Sequence, residues 1–271
     1  MARRSERQKG YILMITLILL VVGAAVWFSS GSVNLNAKRA HAVMQDRLGQ
    51  MEKIKERLLI YATMTPTIMQ ADSSSSPPPL SNVEVVPGPG YLPCWDTVGD
   101  GKMHCSFTTG DHHPHYLPQQ ISSRHFYFGE RAKQYYFVLD QRFAIQNSNY
   151  NNSTTKRYAP LNPAITPAPS LHLNQDGKNY VALIIYAPDG LDADNDDGDT
   201  DFFSKTDANP GINDLIVGIT ASEWANIVQR HVENLKSDLC NTNASEKFWF
   251  NDYDAANNPT GSSWRSYLGG C

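Results

Sequence analysis

The chain has 271 residues, a formal net charge of -4 and a sequence pI of about 6.0. Nucleic-acid binding requires a clustered basic surface, and this mildly acidic composition excludes that class of partner. The length accommodates one membrane segment and one domain of ordinary size.

The N-terminal region combines a basic flank with an uncharged apolar run. Residues 1–10 read MARRSERQKG, and no charged residue occurs from Tyr11 to Phe28. These 18 residues reach the lower end of the length that a helix needs to cross the hydrocarbon core of a bilayer. The run is longer than the apolar region of a cleaved secretory signal, which has roughly 7–15 residues. The basic flank should remain cytoplasmic, which places the rest of the chain across the membrane.

The apolar run continues into an amphipathic helical pattern. From Val33 to Ala62, apolar residues recur at steps of three and four, which is the spacing of one helix face. Charged residues of both signs occupy the other face, and no proline interrupts the pattern before Pro66. We therefore predict a long N-terminal helix over residues 11–70, transmembrane over 11–28. A Ser- and Pro-rich connector over 71–90 should follow it.

This N-terminal arrangement resembles the type IV pilin-like family, whose members carry a leader that ends in glycine and is cut by a prepilin peptidase. The match is RQKG followed by YILMITLILLVVG. The resemblance implies a prepilin leader over residues 1–10, cleavage between Gly10 and Tyr11, and an apolar helix that packs with other pilin subunits. Most such subunits have Glu at the fifth mature position, where this chain has Ile15. The resemblance is therefore closer to minor subunits, such as the tip pseudopilin of type II secretion.

Residues 91–271 are predicted to form a periplasmic globular domain with a mainly antiparallel sheet. Alternating, β-branched or aromatic content predicts strands at Arg124–Phe128, Gln134–Ile145, Tyr180–Ala187, Asp214–Thr220 and Lys247–Tyr253. Thr220 and Glu223 have the spacing of a capping box, which predicts a helix whose apolar face extends to Leu239. A long helix, a connector and then a sheet place the chain in the α+β class.

The cysteines indicate an oxidising compartment. The chain has four, at Cys94, Cys105, Cys240 and Cys271, and none forms a C-x-x-C pair. An even number of cysteines beyond a membrane segment is typical of disulfides in the periplasm. Four cysteines allow three pairings, so the connectivity stays open. The local pairs Cys94–Cys105 and Cys240–Cys271 would close short loops, and we expect these two bridges.

A second pattern surrounds the first cysteine. The segment LPCWDTVGDG runs from Leu92 to Gly101. It resembles a group of bacterial prepilin-type proteins in which a second Leu-Pro follows the second cysteine. Leu117 and Pro118 occupy the corresponding place in this chain.

An acid-rich run is the candidate metal site. Its predicted ligands share one Gly-containing turn and are Asp192, Asp194, Asp196, Asp199 and Asp201. Closely spaced carboxylates supply the oxygen ligands that calcium prefers, and an ion would relieve their mutual repulsion. The EF-hand spacing fails, because aligning Gly198 with the loop glycine places Ala193 at the first ligand position. The alternative interpretation is a solvated acidic loop without an ion.

The sequence contains no signature of an enzyme. The motifs G-x-S-x-G, H-E-x-x-H, G-x-G-x-x-G and the P-loop do not occur. His112, His113 and His115 offer imidazoles to a transition metal, but Pro114 disrupts a helical presentation, and we interpret them as a polar loop. We therefore predict a protein without a catalytic site.

The predicted function is that of a structural minor subunit, for initiation, tip or regulation, of a type IV pilus or a type II secretion pseudopilus. Its predicted partners are other pilin or pseudopilin subunits, prepilin peptidase and the bacterial inner membrane, with no nucleic acid. Calcium is the candidate cofactor. The alternative is a membrane-tethered or fibre-tip adhesin or substrate-binding protein. A structural subunit should copurify with other pilins, whereas a lone receptor should not.

Overall fold

The structure is a computed structural model, and it describes ten stretches of the chain. They are residues 4–68, 89–104, 112–121, 124–125, 132–140, 143–144, 173–175, 177–205, 211–241 and 264–269. The chain divides into two compact units, Met1–Gly49 and Gln50–Cys271. The unit that holds the sheet begins at Gln50. The predicted globular domain over 91–271 stays a prediction.

Helix α1 spans Arg4–Ile68 and belongs to both units. In the first unit its large apolar side chains from Met14 to Val22 are exposed. Among the helical residues that the structure describes, no segment meets both the length and the hydropathy needed to cross a membrane. Side chains of the predicted span over 11–28 are described only from Met14 to Ala24, and the span stays a prediction.

In the second unit, α1 has a clear buried face. Met51, Ile54, Leu58 and Ala62, which belong to the predicted apolar stripe, are all buried. The charged residues between them are largely exposed, as the helical period requires. Six residues before the end of the helix, the Ala62 carbonyl accepts a hydrogen bond from the Gly90 amide, with an N–O distance of 2.7 Å.

The second unit contains a mixed, mostly antiparallel sheet, which agrees with the α+β class. Its strands are β1 His115–Tyr116, β4 Tyr135–Leu139, β5 Leu173–Gln175, β6 Lys178–Tyr186, β7 Asp201–Phe202 and β8 Leu215–Thr220. Strand β6 pairs antiparallel with β4, β5 and β8, and β4 also pairs antiparallel with β1. The β5–β7 pair is parallel. A separate hairpin joins β2 Gln120–Ile121 to β3 Arg124–His125.

Both faces of the sheet are covered. Residues 181–186 of β6 are all buried, which matches a strand packed on two sides. One face forms a core of Val138, Leu173, Leu183, Ile185, Phe202 and Ile216. The opposite face turns toward the second part of α1, because the hydroxyl of Tyr135 donates to Gln50 Oε1 at 2.8 Å.

Helix α2, Ala221–Asn234, begins at the predicted capping box. Thr220 Oγ1 accepts from the Glu223 amide, and the Glu223 carboxylate accepts from the Thr220 amide. The helix ends at Asn234, with Leu235 as its C-cap, and is followed by α3, Lys236–Asn241, so the predicted single helix is divided in two. A short helix α4 spans Trp264–Tyr267.

The strand predictions are accurate at the centre of the sheet and less accurate at its edges. The predicted Tyr180–Ala187 and Asp214–Thr220 correspond to β6 and β8. The predicted Gln134–Ile145 is too long, because the chain turns after Leu139 and the Phe143 amide donates to the Asp140 carbonyl. The predicted Arg124–Phe128 is described only over Arg124–His125, and Lys247–Tyr253 lies outside the described residues.

Candidate functional site

The acidic run forms a loop against one face of the sheet. Its flanking residues Leu191 and Phe202 pack on the core of that face. The loop is anchored by Asn195, which is 1% exposed. The Asn195 side chain accepts from the Phe203 amide at 2.8 Å and donates to the Phe203 carbonyl at 2.9 Å. The amide side chain of Asn195 therefore holds this loop against the backbone of Phe203.

The five predicted calcium ligands do not lie together in the structure, and calcium binding by this loop stays a prediction. Asp194, Asp196, Asp199 and Asp201 are exposed, and Asp192 is half-buried. In the described part of the chain, no three of these five carboxylates bring oxygens within 4.8 Å of one another. Asp199 instead accepts from the Asp201 amide at 2.7 Å, which is a local turn contact. Exposed like charges separate in water, and most of the run follows that tendency.

A different pair of carboxylates does come together at the base of the loop. Asp214, just before β8, is 0% exposed. Its Oδ2 accepts from the Asp192 amide at 3.0 Å and from Asn195 Nδ2 at 2.9 Å. In return, Asp192 Oδ2 accepts from the Asp214 amide at 3.0 Å and from the Asn213 amide at 2.6 Å. Each aspartate thus binds the backbone of the other, which holds their carboxylates side by side.

The second oxygen of Asp214 has no hydrogen-bond partner. Its Oδ1 is inaccessible to solvent and receives no donor. Burial raises the pKa of Asp214 above its ordinary value, opposed by the hydrogen bonds from Asn195 and the Asp192 amide and reinforced by the Asp192 charge. This buried, incompletely satisfied carboxylate is the most unusual polar group at the loop.

The histidine segment lies beside the acidic loop. His113 Nδ1 is 3.7 Å from Asp196 Oδ1. Gly198 has a φ of +81°, and a Cβ there would lie 2.5 Å from His113 Nε2, so only glycine fits. His115 packs its ring on Trp95 at a centroid distance of 5.1 Å. In the part of the chain that the structure describes, the histidines at 112, 113 and 115 form no metal-ligand cluster.

A second carboxylate site occupies the LPCWDTVGDG segment. Asp96 is 1% exposed, and its Oδ1 accepts from the amides of Val98, Gly99 and Asp100. Its Oδ2 accepts from the Gly101 amide at 2.7 Å. Four backbone donors therefore saturate one buried carboxylate and fold residues 96–101 around it.

Among the described residues, this segment also contains the one group of three side chains close enough together to share a metal ion. The ligand atoms of Asp96, Asp100 and His104 lie within 4.8 Å of one another. Both oxygens of Asp96 are already occupied by amides, and Asp100 Oδ1 accepts from the Lys102 amide and contacts His104 Nε2 at 3.0 Å. The hydrogen bond from the Lys102 amide and then that from His104 lower the pKa of Asp100. The group is satisfied without an ion, and we interpret it as a structural turn.

The other predicted site residues are only partly described. Cys94 and Cys240 are both disulfide-bonded. Cys105 and Cys271 lie outside the described residues, so the pairing Cys94–Cys105 and Cys240–Cys271 stays a prediction. Gly10 and Tyr11 lie within the backbone of α1, and the cleavage between them stays a prediction.

Sequence reasoning missed the central role of Asp214 and Asn195. Asp214 was included only as the first residue of a predicted strand, and Asn195 only as a spacer in the acidic run. No local motif marks either residue, because their partners lie 19 or 22 positions away or on the backbone of Phe203. No protein-family model matches the chain, and searches of curated proteins and of solved structures found no similar protein.

Proposed function

We propose that the chain is a structural minor subunit of a type IV pilus or a type II secretion pseudopilus, acting in initiation, at the tip or in regulation. Residues 11–28 anchor it in the bacterial inner membrane and pack with other subunits, and the unit that begins at Gln50 lies in the periplasm. Prepilin peptidase removes residues 1–10.

The observation that carries this proposal is the exposure of apolar side chains in the first unit. Between 48% and 69% of the residue surface is exposed at Met14, Ile15, Leu17, Ile18, Leu19, Leu20, Val21 and Val22. Exposed apolar surface costs about 25 cal/mol per Å² in water, so this helix requires lipid or other apolar helices around it. A helix that is apolar on all sides is suited to both environments.

Features of the second unit support the same proposal. The disulfide-bonded Cys94 and Cys240 favour an oxidising compartment such as the periplasm. Met51 and Leu58 of α1 are fully buried, so the unit includes the end of the helix that carries the anchor. In the pilin-like family that the N-terminal segment resembles, the fifth mature residue is usually Glu. Ile15 occupies that position in this chain, which supports a minor pilin subunit and not the major one.

Site-specific crosslinking in the bacterium that encodes the chain tests the proposal. A photoreactive residue at Leu19 should crosslink to other pilin-like subunits, because Leu19 is 65% exposed within the apolar run. The matched control places the same residue at Glu56, which is exposed on the second part of α1. Crosslinks from Leu19 to lipid alone, without any pilin-like protein, would favour the single membrane-tethered receptor and contradict the fibre subunit.

Processing provides an independent test of the leader. Gly10→Val should block cleavage, because a side chain next to the scissile bond obstructs the peptidase. Gly23→Val is the matched control, since nothing lies within 4 Å of a Cβ at Gly23. Intact-mass analysis should find a mature chain beginning at Tyr11 in the wild type and in the control. A wild-type chain that begins at Met1 would contradict the proposed processing.

A further inference from the structure

The turn around Asp96 also covers one edge of the sheet. In the described part of the sheet, β1 is a terminal strand and pairs with β4 on one side. On its other side, the Tyr116 amide donates to the Asp96 carbonyl at 3.1 Å, and the Tyr116 carbonyl accepts from the Asp96 amide at 2.9 Å. An uncovered edge presents free donors and acceptors to another strand. The backbone of Asp96 therefore closes the edge of β1 at Tyr116.

Two further contacts hold the turn against the segment that contains β1. The Gln119 amide donates to the Gly101 carbonyl at 2.9 Å. Gly99 lies against the ring of Tyr116, because a Cβ at position 99 would be 3.1 Å from Tyr116 Cε2. The four amides that donate to the Asp96 carboxylate keep the turn in the conformation that makes these contacts. The edge of β1 thus stays covered only while the turn stays closed.

The two arms of the turn meet next to Cys94, which is buried and disulfide-bonded. The His104 amide donates to the Trp95 carbonyl at 2.8 Å, which brings the arms side by side. Continuing this antiparallel pairing by one residue would place position 105 opposite position 94, and the residue at 105 is a cysteine. Opposite residues of an antiparallel pair have Cα atoms about 4.5–5.5 Å apart, which is within the range of a disulfide. The pairing of the arms therefore favours Cys105 as the partner of Cys94.

We propose that the Asp96 turn is a redox-sensitive cover on the edge of β1, closed by a disulfide between Cys94 and Cys105 and released from Tyr116 when that disulfide is reduced. The bridge and the turn stabilise each other, because both restrict the same short loop. A dithiol reductant supplies the two electrons and two protons that convert the bridge into two thiols, and the reductant itself becomes a disulfide. The uncovered edge then accepts another strand, so oxidation protects the sheet from edge-to-edge association. This device is independent of the proposed role in a fibre.

Hydrogen exchange of the full-length chain in mild detergent tests the proposal. Non-reducing peptide mapping of the wild type should first find Cys94 linked to Cys105. Mass spectrometry then follows the backbone amides of the turn and of the peptide that contains Tyr116. In a Cys94→Ser/Cys105→Ser chain these amides should exchange about tenfold faster or more than in the wild type, because nothing closes the loop. A Cys240→Ser/Cys271→Ser chain is the matched control and should exchange at these positions as the wild type does.

A redox titration measures the same coupling in the opposite direction. Asp96→Asn weakens the turn, so its Cys94 bridge should be reduced at a ratio of reduced to oxidised dithiothreitol about tenfold lower or more than in the wild type. Asp100→Asn is the matched control, because this exposed carboxylate accepts no amide that closes the turn on Asp96, and it should be reduced as the wild type is.

Three results overturn the proposal. One is a link from Cys94 to a cysteine other than Cys105. Another is wild-type exchange at Tyr116 in the chain without this bridge, or an equal acceleration in β6, which would mean global unfolding. The third is equal reduction of the wild type and a folded Asp96→Asn chain. If the Cys94→Ser/Cys105→Ser chain does not fold, the control chain without the other two cysteines is treated with dithiothreitol, because the Cys94 bridge is then the one that is reduced.

Discussion

Two of the buried carboxylates in the described part of the chain, those of Asp96 and Asp214, are satisfied to very different degrees. Both are at most 1% exposed. Asp96 accepts four backbone amides from the five residues that follow it. Asp214 accepts two donors on one oxygen and none on the other, and both donors are distant in sequence. A saturated carboxylate holds a turn together, whereas an unsaturated one retains the capacity to bind a ligand.

The largest effect is expected when Asp96 loses one oxygen. Asp96→Asn replaces an acceptor with an NH₂ group that must face backbone donors, so at least one buried amide loses its partner. We expect a loss of about 3 kcal/mol in the free energy of unfolding, measured by urea denaturation with tryptophan fluorescence. Asp100→Asn in the same turn is the control and should change little, because that carboxylate is exposed. Equal effects of the two changes would contradict a special role for Asp96.

The same turn should be sensitive at Gly101. Its φ is +83°, and its amide donates to Asp96 Oδ2. Gly101→Ala should therefore cost about 1 kcal/mol in the free energy of unfolding, because a Cβ is strained in this backbone region. Gly49→Ala is the control, since Gly49 is helical with open space around it and alanine favours helices. If Gly101→Ala leaves the free energy of unfolding unchanged, the turn does not require a residue that favours positive φ.

Asp214→Asn should have the opposite sign to Asp96→Asn when calcium is removed by a chelator. An amide at position 214 removes one of two adjacent charges and can donate to the Asp192 carboxylate. We expect a gain of about 1 kcal/mol in the free energy of unfolding at neutral pH. The measurement is the same urea denaturation, with Asp194→Asn as the control. A loss as large as that of Asp96→Asn would mean that Asp214 is fully satisfied in the folded chain.

A third carboxylate, Glu223, has a lysine partner and should give the smallest effect. Its carboxylate lies 2.7 Å from the Lys55 ammonium. Partial burial would raise the pKa of Glu223, but hydrogen bonds from Lys55 and Thr220 outweigh it and hold the pKa below its ordinary value. The Glu223 side chain is 41% exposed, so solvent screens the pair, and Glu223→Gln should cost no more than about 0.5 kcal/mol at pH 7.

The sign of the pH dependence follows from the lowered pKa. The contribution of Glu223 is present above the pKa of the unfolded chain and is lost as the pH falls through the lower folded value. Urea denaturation from pH 7 to pH 3 should therefore show the wild type and Glu223→Gln converging in acid. Glu52→Gln is the matched control, because Glu52 lies 3.7 Å from the same ammonium and is more exposed. If the difference in the free energy of unfolding between the wild type and Glu223→Gln grows as the pH falls, this assignment is wrong.

Local sequence patterns predicted the helices and strands that depend on residues close together in the sequence. The capping box at Thr220 and Glu223 satisfies the first amides of α2 from within three residues, and it is present as predicted. The apolar steps at Met51, Ile54 and Leu58 define a buried helix face, since the helical period alone places them together. The buried strand β6 followed from the β-branched and aromatic content of Tyr180–Ala187.

The short strands and the end of β4 did not follow from the sequence. Strands β5 and β7 have three and two residues, which is too short for any periodicity, and their pairing exists only because β6 provides an edge for β5. Strand β4 stops at Leu139; the Asp140 amide still donates to the Val181 carbonyl of β6, and the chain then turns, with the Phe143 amide donating to the Asp140 carbonyl. These boundaries depend on hydrogen bonds to residues far away in the chain.

The sequence by itself determined that this chain has an uncharged helical segment, an α+β domain, an acid-rich loop and a turn-forming Asp96 segment. Only the tertiary structure decided which carboxylates meet. The run at 192–201 suggested five ligands, but in the fold four of these side chains are exposed, and Asp192 meets Asp214 from 22 positions away. Repulsion separates charges that are adjacent in sequence, whereas packing against a sheet buries and pairs charges that are distant, and no sequence spacing encodes that second effect.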